Sequence, residues 1–356
     1  MLGILIPTKN HSDFVIRQLH YFAYVGCPYT LYVGDSSDKN HADRILKKID
    51  ELKGKLSVVY RWIDSDLSGH AVLKELLDIV EEKYVTYLGD DDLCVPSGLS
   101  DYVEFLECNP DYATAQGDAV VFELDREGAF GEIAKLGQWL VKECELEAGA
   151  DRLNFLLNDY WVLDFSVHRT ATYREICDCR DVKSSRYISD GPFTEILVGC
   201  LAVIRGKSKK MNKLSLFRQW GEHRYRSSKP SQQDWLDQQD WEASFNIFRD
   251  TVTEALFSEC GMDKLAASEL LQAAFSTYLA NSFAAEPKLT SLRNMSNSLR
   301  ETLYRSSVAR FAYDQARRVN PGFYSELRLE RLLSPQSPHH EDFMPIYSTI
   351  TSKGVS

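Results

Sequence analysis

From Leu2 to Asp92 the chain alternates four times between a short apolar run and a polar cluster that ends it. Leu2–Ile6 breaks at Pro7-Thr8-Lys9-Asn10. Tyr29–Val33 ends in Gly34-Asp35-Ser36-Ser37-Asp38, and Leu56–Trp62 is followed by Asp64-Ser65-Asp66. Tyr84–Leu88 leads through Gly89 to Asp90-Asp91-Asp92. Between these runs, apolar residues recur at helical spacing: Val15, Leu19, Phe22 and Ala23, then Ala42, Ile45, Leu46 and Ile49, then Val72, Leu76, Leu77 and Val80. Ser12, Asp38 and Ser68 stand where helix caps are expected. The alternation predicts a parallel sheet with right-handed crossovers. Ligands of such sheets bind beyond the carboxyl ends of the strands, where all four polar clusters fall.

The acidic triplet is the sharpest of these clusters. Three adjacent carboxylates repel, so a fold that gathers them at a strand end needs solvent or a cation. Mg²⁺ and Mn²⁺ prefer such oxygen ligands and share them with substrate phosphates. A solvated acidic turn is the alternative. Pro96 closes the loop after the triplet.

Beyond Pro96 a helix is expected to Cys108, ended by Asn109-Pro110. Tyr112–Phe122 reads as a strand interrupted at Gln116-Gly117-Asp118, and residues 132–160 as one or two helices. Trp161–His168 is strand-like, and Ala171–Cys177 suits a short helix. Ser189-Asp190-Gly191-Pro192 opens an apolar helix that stops at Gly206, and Lys213–Trp220 alternates as a strand. From Ser227 the texture turns to linker and then to helical pattern, with Leu265, Leu270, Leu271, Phe275 and Leu279 in one stripe. The expected division is a sheet-bearing domain at 1–226 and a helical C-terminal region at 227–356, with a flexible tail after about 334. That region would serve acceptor binding, assembly of a homo-oligomer or membrane docking.

Hydrophobic content of 44% supports a full core, and the net charge of −11 argues against nucleic acid as a partner. No apolar run reaches the length of a membrane span. The N-terminal residues lack a basic leader and cleavage site, and read as strand. The eight cysteines are scattered, which points to free thiols in a reducing cytoplasm. Against the acidic background, Arg205, Lys207, Lys209, Lys210, Lys213, Arg218, Arg224, Arg226 and Lys229 form a basic stretch. It suits a diphosphate, a lipid-linked acceptor or peripheral contact at the inner face of a membrane; a solvated basic face is the plainer alternative.

Ile6-Pro7-Thr8-Lys9-Asn10, Val33-Gly34-Asp35-Ser36-Ser37-Asp38 and Tyr87-Leu88-Gly89-Asp90-Asp91-Asp92 with Pro96 together resemble family-two glycosyltransferases of the GT-A fold. The resemblance spans roughly residues 2–225 and is strongest before 100. It implies a Rossmann-like, mostly parallel α/β sheet flanked by helices. It places Pro7, Thr8, Asn10, Asp35 and Asp64 at the nucleotide of a sugar-nucleotide donor, UDP-linked by preference. The triplet matches the family's DxD element, with Asp90 and Asp92 as the spaced pair, Asp91 as a substitute for either, and Mn²⁺ or Mg²⁺ as cofactor. Gly89 stands where many relatives carry another Asp.

An inverting displacement also needs a base on the acceptor hydroxyl. The resemblance points to Asp190, with Glu195 in reserve and Asp118 weaker; a helix cap is the plain alternative for Asp190. His223 falls where many relatives place a further metal ligand. Arg218 and Arg224 are candidates for the diphosphate or acceptor. Tyr160, Trp161 and His168-Arg169 suit either an acceptor cleft or the core. The expected function is therefore an inverting, metal-dependent glycosyltransferase acting on a glycan, lipid-linked or other acceptor in surface polysaccharide or glycoconjugate synthesis. The alternatives are a sugar-phosphate nucleotidyltransferase, against which the absence of Gly from Pro7–Asp13 counts, and a catalytically degenerate nucleotide-sugar-binding protein.

Overall fold

In a computed structural model, residues 2–63, 69–178, 191–221, 235–282 and 326–352 are described. The first part of the chain follows the alternation closely. Strand β1 (Leu2–Thr8) leads to helix α1 (Ser12–Tyr24), β2 (Thr30–Asp35) to α2 (Lys39–Glu51), β3 (Ser57–Trp62) to α3 (Gly69–Leu77), and β4 (Tyr84–Tyr87) to the acidic triplet. A two-residue strand β5 (Leu93–Cys94) then precedes α4 (Pro96–Cys108). The rest comprises β6 (Tyr112–Leu124), β7 (Ile133–Trp139), α5 (Gly149–Asn158), β8 (Val167–Arg169), α6 (Thr170–Asp178), α7 (Gly191–Arg205) and β9 (Lys207–Trp220).

These strands form one nine-stranded sheet in the order β3-β2-β1-β4-β8-β6-β9-β5, with β7 added to β6. β3, β2, β1 and β4 run parallel, as do β6 and β9. β8 joins the two parallel groups in antiparallel fashion. The period of two along β1 feeds both faces. Leu5 packs with Tyr32, Leu76, Leu77, Phe193 and Leu197 on one side, while Ile4 and Ile6 pack with Val15, Leu19, Phe22 and Leu99 on the other. The helix Trp241–Cys260 and helical residues 264–282 contribute Phe248, Val252, Leu256, Leu271 and Phe275 to the first of these clusters. They thus share a core with α5 and α7. The expected boundary at 226/227 lies outside the described residues.

Four local expectations change. Ser12 is the first helical residue and does not cap α1; its hydroxyl meets His41 Nδ1 and accepts from Arg44 Nη1, both at 2.8 Å. Asp38 does cap α2, accepting from the His41 amide. Gln116-Gly117-Asp118 does not interrupt β6. The strand runs through with register shifts against β9, and a Cβ at Gly117 would sit 2.0 Å from the Tyr102 hydroxyl and 2.1 Å from the Lys213 carbonyl oxygen. Close backbone approach, not a turn, explains this glycine. Ile133–Trp139, expected to be helical, is an edge strand folded back on β6. Trp161–Ser166 precedes β8 as irregular chain, with Trp161 in the core.

The expected flexible tail after about 334 is also corrected. His340–Thr351 is a helix that buries Phe343, Ile346 and Ile350 against the α1 side of the sheet. Those three apolar positions lie on one helical face, and burying each stabilises by roughly 1.5–3 kcal/mol. The Ser-Pro-His composition before them hid the pattern. Among the described residues, no helix is long and apolar enough to cross a membrane.

Candidate active site

The carboxyl ends of β3, β2, β1 and β4 form one row. Trp62 is the register partner of Asp35, and Asp35 is the partner of Thr8. Thr8 Oγ1 in turn donates to Asp90 Oδ2 at 2.8 Å. Trp62, Asp35, Thr8 and Asp90 therefore stand side by side along one edge of the sheet.

At the β2 position, Asp35 is fully buried. Its Oδ1 accepts from the Ser37 amide (2.9 Å) and its Oδ2 from the Tyr60 hydroxyl (2.8 Å). Burial and the bond to Asp35 push the Tyr60 phenol well up, so it stays a donor. Asn10 adopts the left-handed conformation, with φ +57°. Its amide donates to Ser37 Oγ (2.7 Å), and its Oδ1 accepts from the Asp38 amide (2.9 Å). These bonds fix the β1 and β2 loops to one another. They border an open cavity of about 610 Å³, walled by Tyr60 and Trp62 from β3 and by Ala42 and Leu46 from α2, with Lys9, Asp38, Lys39 and Asp43 also lining it. A larger groove of about 860 Å³ runs along the outer face of α1, where Arg44 pairs with Asp13 and Lys48 with Glu51; it holds none of the candidate residues.

The triplet divides by direction. Asp90 lies at the row, 15% exposed at its side chain, where Oδ2 also meets His11 Nδ1 at 3.1 Å. That hydrogen bond raises the His11 pKa, against the opposing effect of burial. Asp92 is fully buried. It pairs with Arg218 (Nε–Oδ2 3.3 Å) and accepts from the Gln219 amide at 3.0 Å. Arg218 is itself sandwiched between Trp139 and Phe165, at 4.4 and 4.2 Å from the ring centroids. A Cβ at Gly89 would lie 3.0 Å from both Asp91 Oδ1 and Asp92 Oδ2, so the two carboxylates close around the glycine. The turn's own side chains thus take up the space that a side chain at this position would need.

Two buried polar residues of α1 hold this turn, and the sequence analysis missed both. Arg17 donates through Nη2 to the Asp91 carbonyl (2.6 Å), and through Nη1 to the Ala129 carbonyl (2.6 Å) and Gln219 Oε1. Burial pushes its guanidinium down to about 10, against the pull of the three aspartates; it remains charged at neutral pH. Gln18 Nε2 donates to the carbonyls of Gly89 (2.6 Å) and Asp92 (2.8 Å). Gln18 falls between Val15 and Leu19 on the apolar stripe. A polar residue there was the available signal.

Other candidates fall away from the row. Pro7 sits inside β1 opposite Gly34. Asp118 pairs with Lys210 at 2.8 Å. Trp161 is core, His168 Nε2 meets the Leu163 carbonyl at 2.9 Å, and Arg169 donates to the carbonyls of Leu106, Asn109 and Tyr112. Glu195 lies near the start of α7, close to Tyr160 and Tyr278. It adds to the effect of burial in raising both phenols, Tyr278 to about 12. In the basic stretch, Lys207 pairs with Asp111 and Glu147, Lys209 with Glu143 and Glu145, and Lys213 with Asp101. The local excess of positive charge is thus matched by neighbouring acids. Asp64, Asp190, His223 and Arg224 lie outside the described residues.

The Asp90 carboxylate is of the donor type a hard divalent cation takes, with the His11 imidazole beside it and Asp91 buried behind it at 6% exposure. Among the described residues, no three His, Cys, Asp or Glu side chains group as a metal cage. An ion here would need oxygens from a bound substrate to complete its shell.

The sheet order, the helices on both faces and the acidic turn after β4 are those of a GT-A-like α/β fold. Structural comparison agrees. The chain matches the crystal structure of S. aureus TarS with a TM-score of 0.51 at 12% identity, over 86% of this chain and 50% of that one. It matches S. aureus TarS 1-349 in complex with UDP-GlcNAc with a TM-score of 0.50 at 13% identity, over 78% and 72%. The chain thus spans half the length of the longer TarS structure. At this identity the likeness shows the fold. No family model matches the chain, and no curated protein does.

Proposed function

We propose that the chain is an inverting, metal-dependent glycosyltransferase that moves a sugar from a UDP-linked donor to an acceptor hydroxyl. The observation that supports this most is the row Trp62–Asp35–Thr8–Asp90 along the carboxyl edge. A buried carboxylate and an aromatic-walled cavity at one end suit a nucleoside. At the other end a carboxylate held by Thr8 and His11 suits a cation and a diphosphate. The fold shared with TarS 1-349, crystallised with UDP-GlcNAc, makes UDP the first nucleotide to test.

On this proposal Asp90 and Asp91 would hold Mn²⁺ or Mg²⁺. When bound, the ion would supply Lewis-acid stabilisation of the leaving diphosphate. Asp92 would act indirectly, by fixing Arg218 and the start of the turn. Thr8 and His11 orient Asp90, while Asn10, Ser37 and Asp35 shape the nucleoside end. Asp190, just before α7, is the proposed base on the acceptor hydroxyl, with Glu195 in reserve. The proposed acceptor is a glycan or lipid-linked hydroxyl, in surface polysaccharide or glycoconjugate synthesis.

A panel of nucleotide sugars, screened for hydrolysis with Mn²⁺, with Mg²⁺ and with EDTA, tests this. UDP-sugar cleavage that needs the ion supports it. Absence of cleavage across the panel, with intact nucleotide binding, would favour a binding protein that has lost catalysis.

A further inference from the structure

Resting on the donor assignment above, we propose that Trp62 is the platform on which the donor's nucleobase stacks. Trp62 is 57% exposed, an unusual state for an indole at the end of a strand. Its ring is nonetheless held: Nε1 donates to the Ser37 carbonyl at 3.3 Å. Tyr60, two residues back on the same face of β3, is committed to Asp35 and closes the cavity on that side. Leu46, 43% exposed, faces the cavity from α2. The cavity therefore combines an apolar side of Trp62, Tyr60, Ala42 and Leu46 with a polar side of Asn10, Ser36 and Ser37 and the charged Lys9, Asp38, Lys39 and Asp43, which suits a flat heteroaromatic ring with a hydrogen-bonding edge.

Position makes the same point. β3 and β4 are separated by β2 and β1, three inter-strand steps of about 4.8 Å. A row of this length leaves room for an extended nucleoside diphosphate between a base on Trp62 and a diphosphate at Asp90, with the side chains reaching in from either end. The ribose would fall near Asp35 and Ser37. Trp62 and Asp90 become the two ends of one ligand.

The test measures UMP binding calorimetrically to the full chain, and in parallel by tryptophan fluorescence. Loss of a stacking face costs roughly 10- to 100-fold in affinity. Trp62→Ala is therefore expected to weaken UMP by about that factor, and Trp62→Phe to stay within a few-fold of the parent. Quenching by UMP in the parent should be lost in Trp62→Phe, because the reporter is gone while the platform remains. The position is exposed, and unchanged thermal unfolding of both variants would confirm that they fold. UMP binding that Trp62→Ala leaves unchanged overturns this inference and leaves the donor assignment standing. A parent chain that binds neither UMP nor UDP overturns both.

Discussion

Arg17 Nη2 donates to the carbonyl oxygen of Asp91 at 2.6 Å, so a fully buried guanidinium in the first helix anchors the backbone of the acidic turn. Its Nη1 ties the same point to the Ala129 loop and to Gln219 on β9. Removing it would leave several buried acceptors without a partner. Leaving buried acceptors unsatisfied in this way costs about 1–3 kcal/mol for each group. Arg17→Met is expected to lower stability by that order in chemical denaturation, and to loosen the acidic turn. Arg17→Lys, which keeps charge but loses the fork, should recover only part. Unfolding midpoints equal to the parent in both variants would show that the turn stands without this anchor.

Asp90 and Asp92 should separate in mutagenesis. Asp92→Ala strands Arg218, which is 11% exposed at its side chain, beside an empty partner site. That variant should lose about 3–5 kcal/mol of stability. Asp90→Ala should cost less, roughly 0.5–1.5 kcal/mol for the lost bond from Thr8, yet lose metal-dependent nucleotide binding. The pair of measurements is thermal or chemical unfolding alongside UDP titration with Mn²⁺. Equal stability of the two variants would contradict the division of the triplet described above.

Tyr60→Phe removes the hydroxyl that Asp35 accepts from, leaving a buried carboxylate with one partner fewer. A hydrogen bond to a charged group is worth roughly 1.5–3 kcal/mol. UDP affinity should fall through misplacement of Asp35 and Ser37, and Asp35→Ala should weaken UDP by a similar amount. Calorimetric titration of the two variants checks this. Unchanged affinity in both would remove Asp35 from the nucleoside end.

The first ninety or so residues were legible because their physics is local. Each strand is a short apolar run, each helix carries its own stripe, and Pro96 and Asp38 mark helix starts by their own chemistry. The acidic turn and the row of polar strand ends follow from that order. What escaped depends on contacts distant in sequence. Gly117 looks like a turn until Tyr102 and Lys213 are known to press on it. Ile133–Trp139 becomes a strand only because β6 offers an open edge. The part played by Arg17 and Gln18 is not written locally, because their acceptors in the acidic turn lie more than seventy residues away. Asp90 and Asp92 look equivalent in sequence and are told apart only by Arg218.

Asp190 is expected to serve as base. Asn matches it in size and caps a helix about as well, so Asp190→Asn should keep fold, donor binding and metal binding. Loss of a general base typically lowers rate by about 10²–10⁴. Transfer to acceptor, or donor hydrolysis where no acceptor is known, measures it. Near-parental rates would exclude the role and turn attention to Glu195.

The most direct test of the whole account is a calorimetric titration of UDP into the full chain with Mn²⁺, with EDTA, and with Asp90→Ala in Mn²⁺. The expected result is saturable binding to the parent with Mn²⁺, weakened at least about tenfold both by EDTA and by the substitution, since each removes the bridge between carboxylate and diphosphate. Parent binding that is the same in Mn²⁺ and EDTA, or no UDP binding at all, would contradict it.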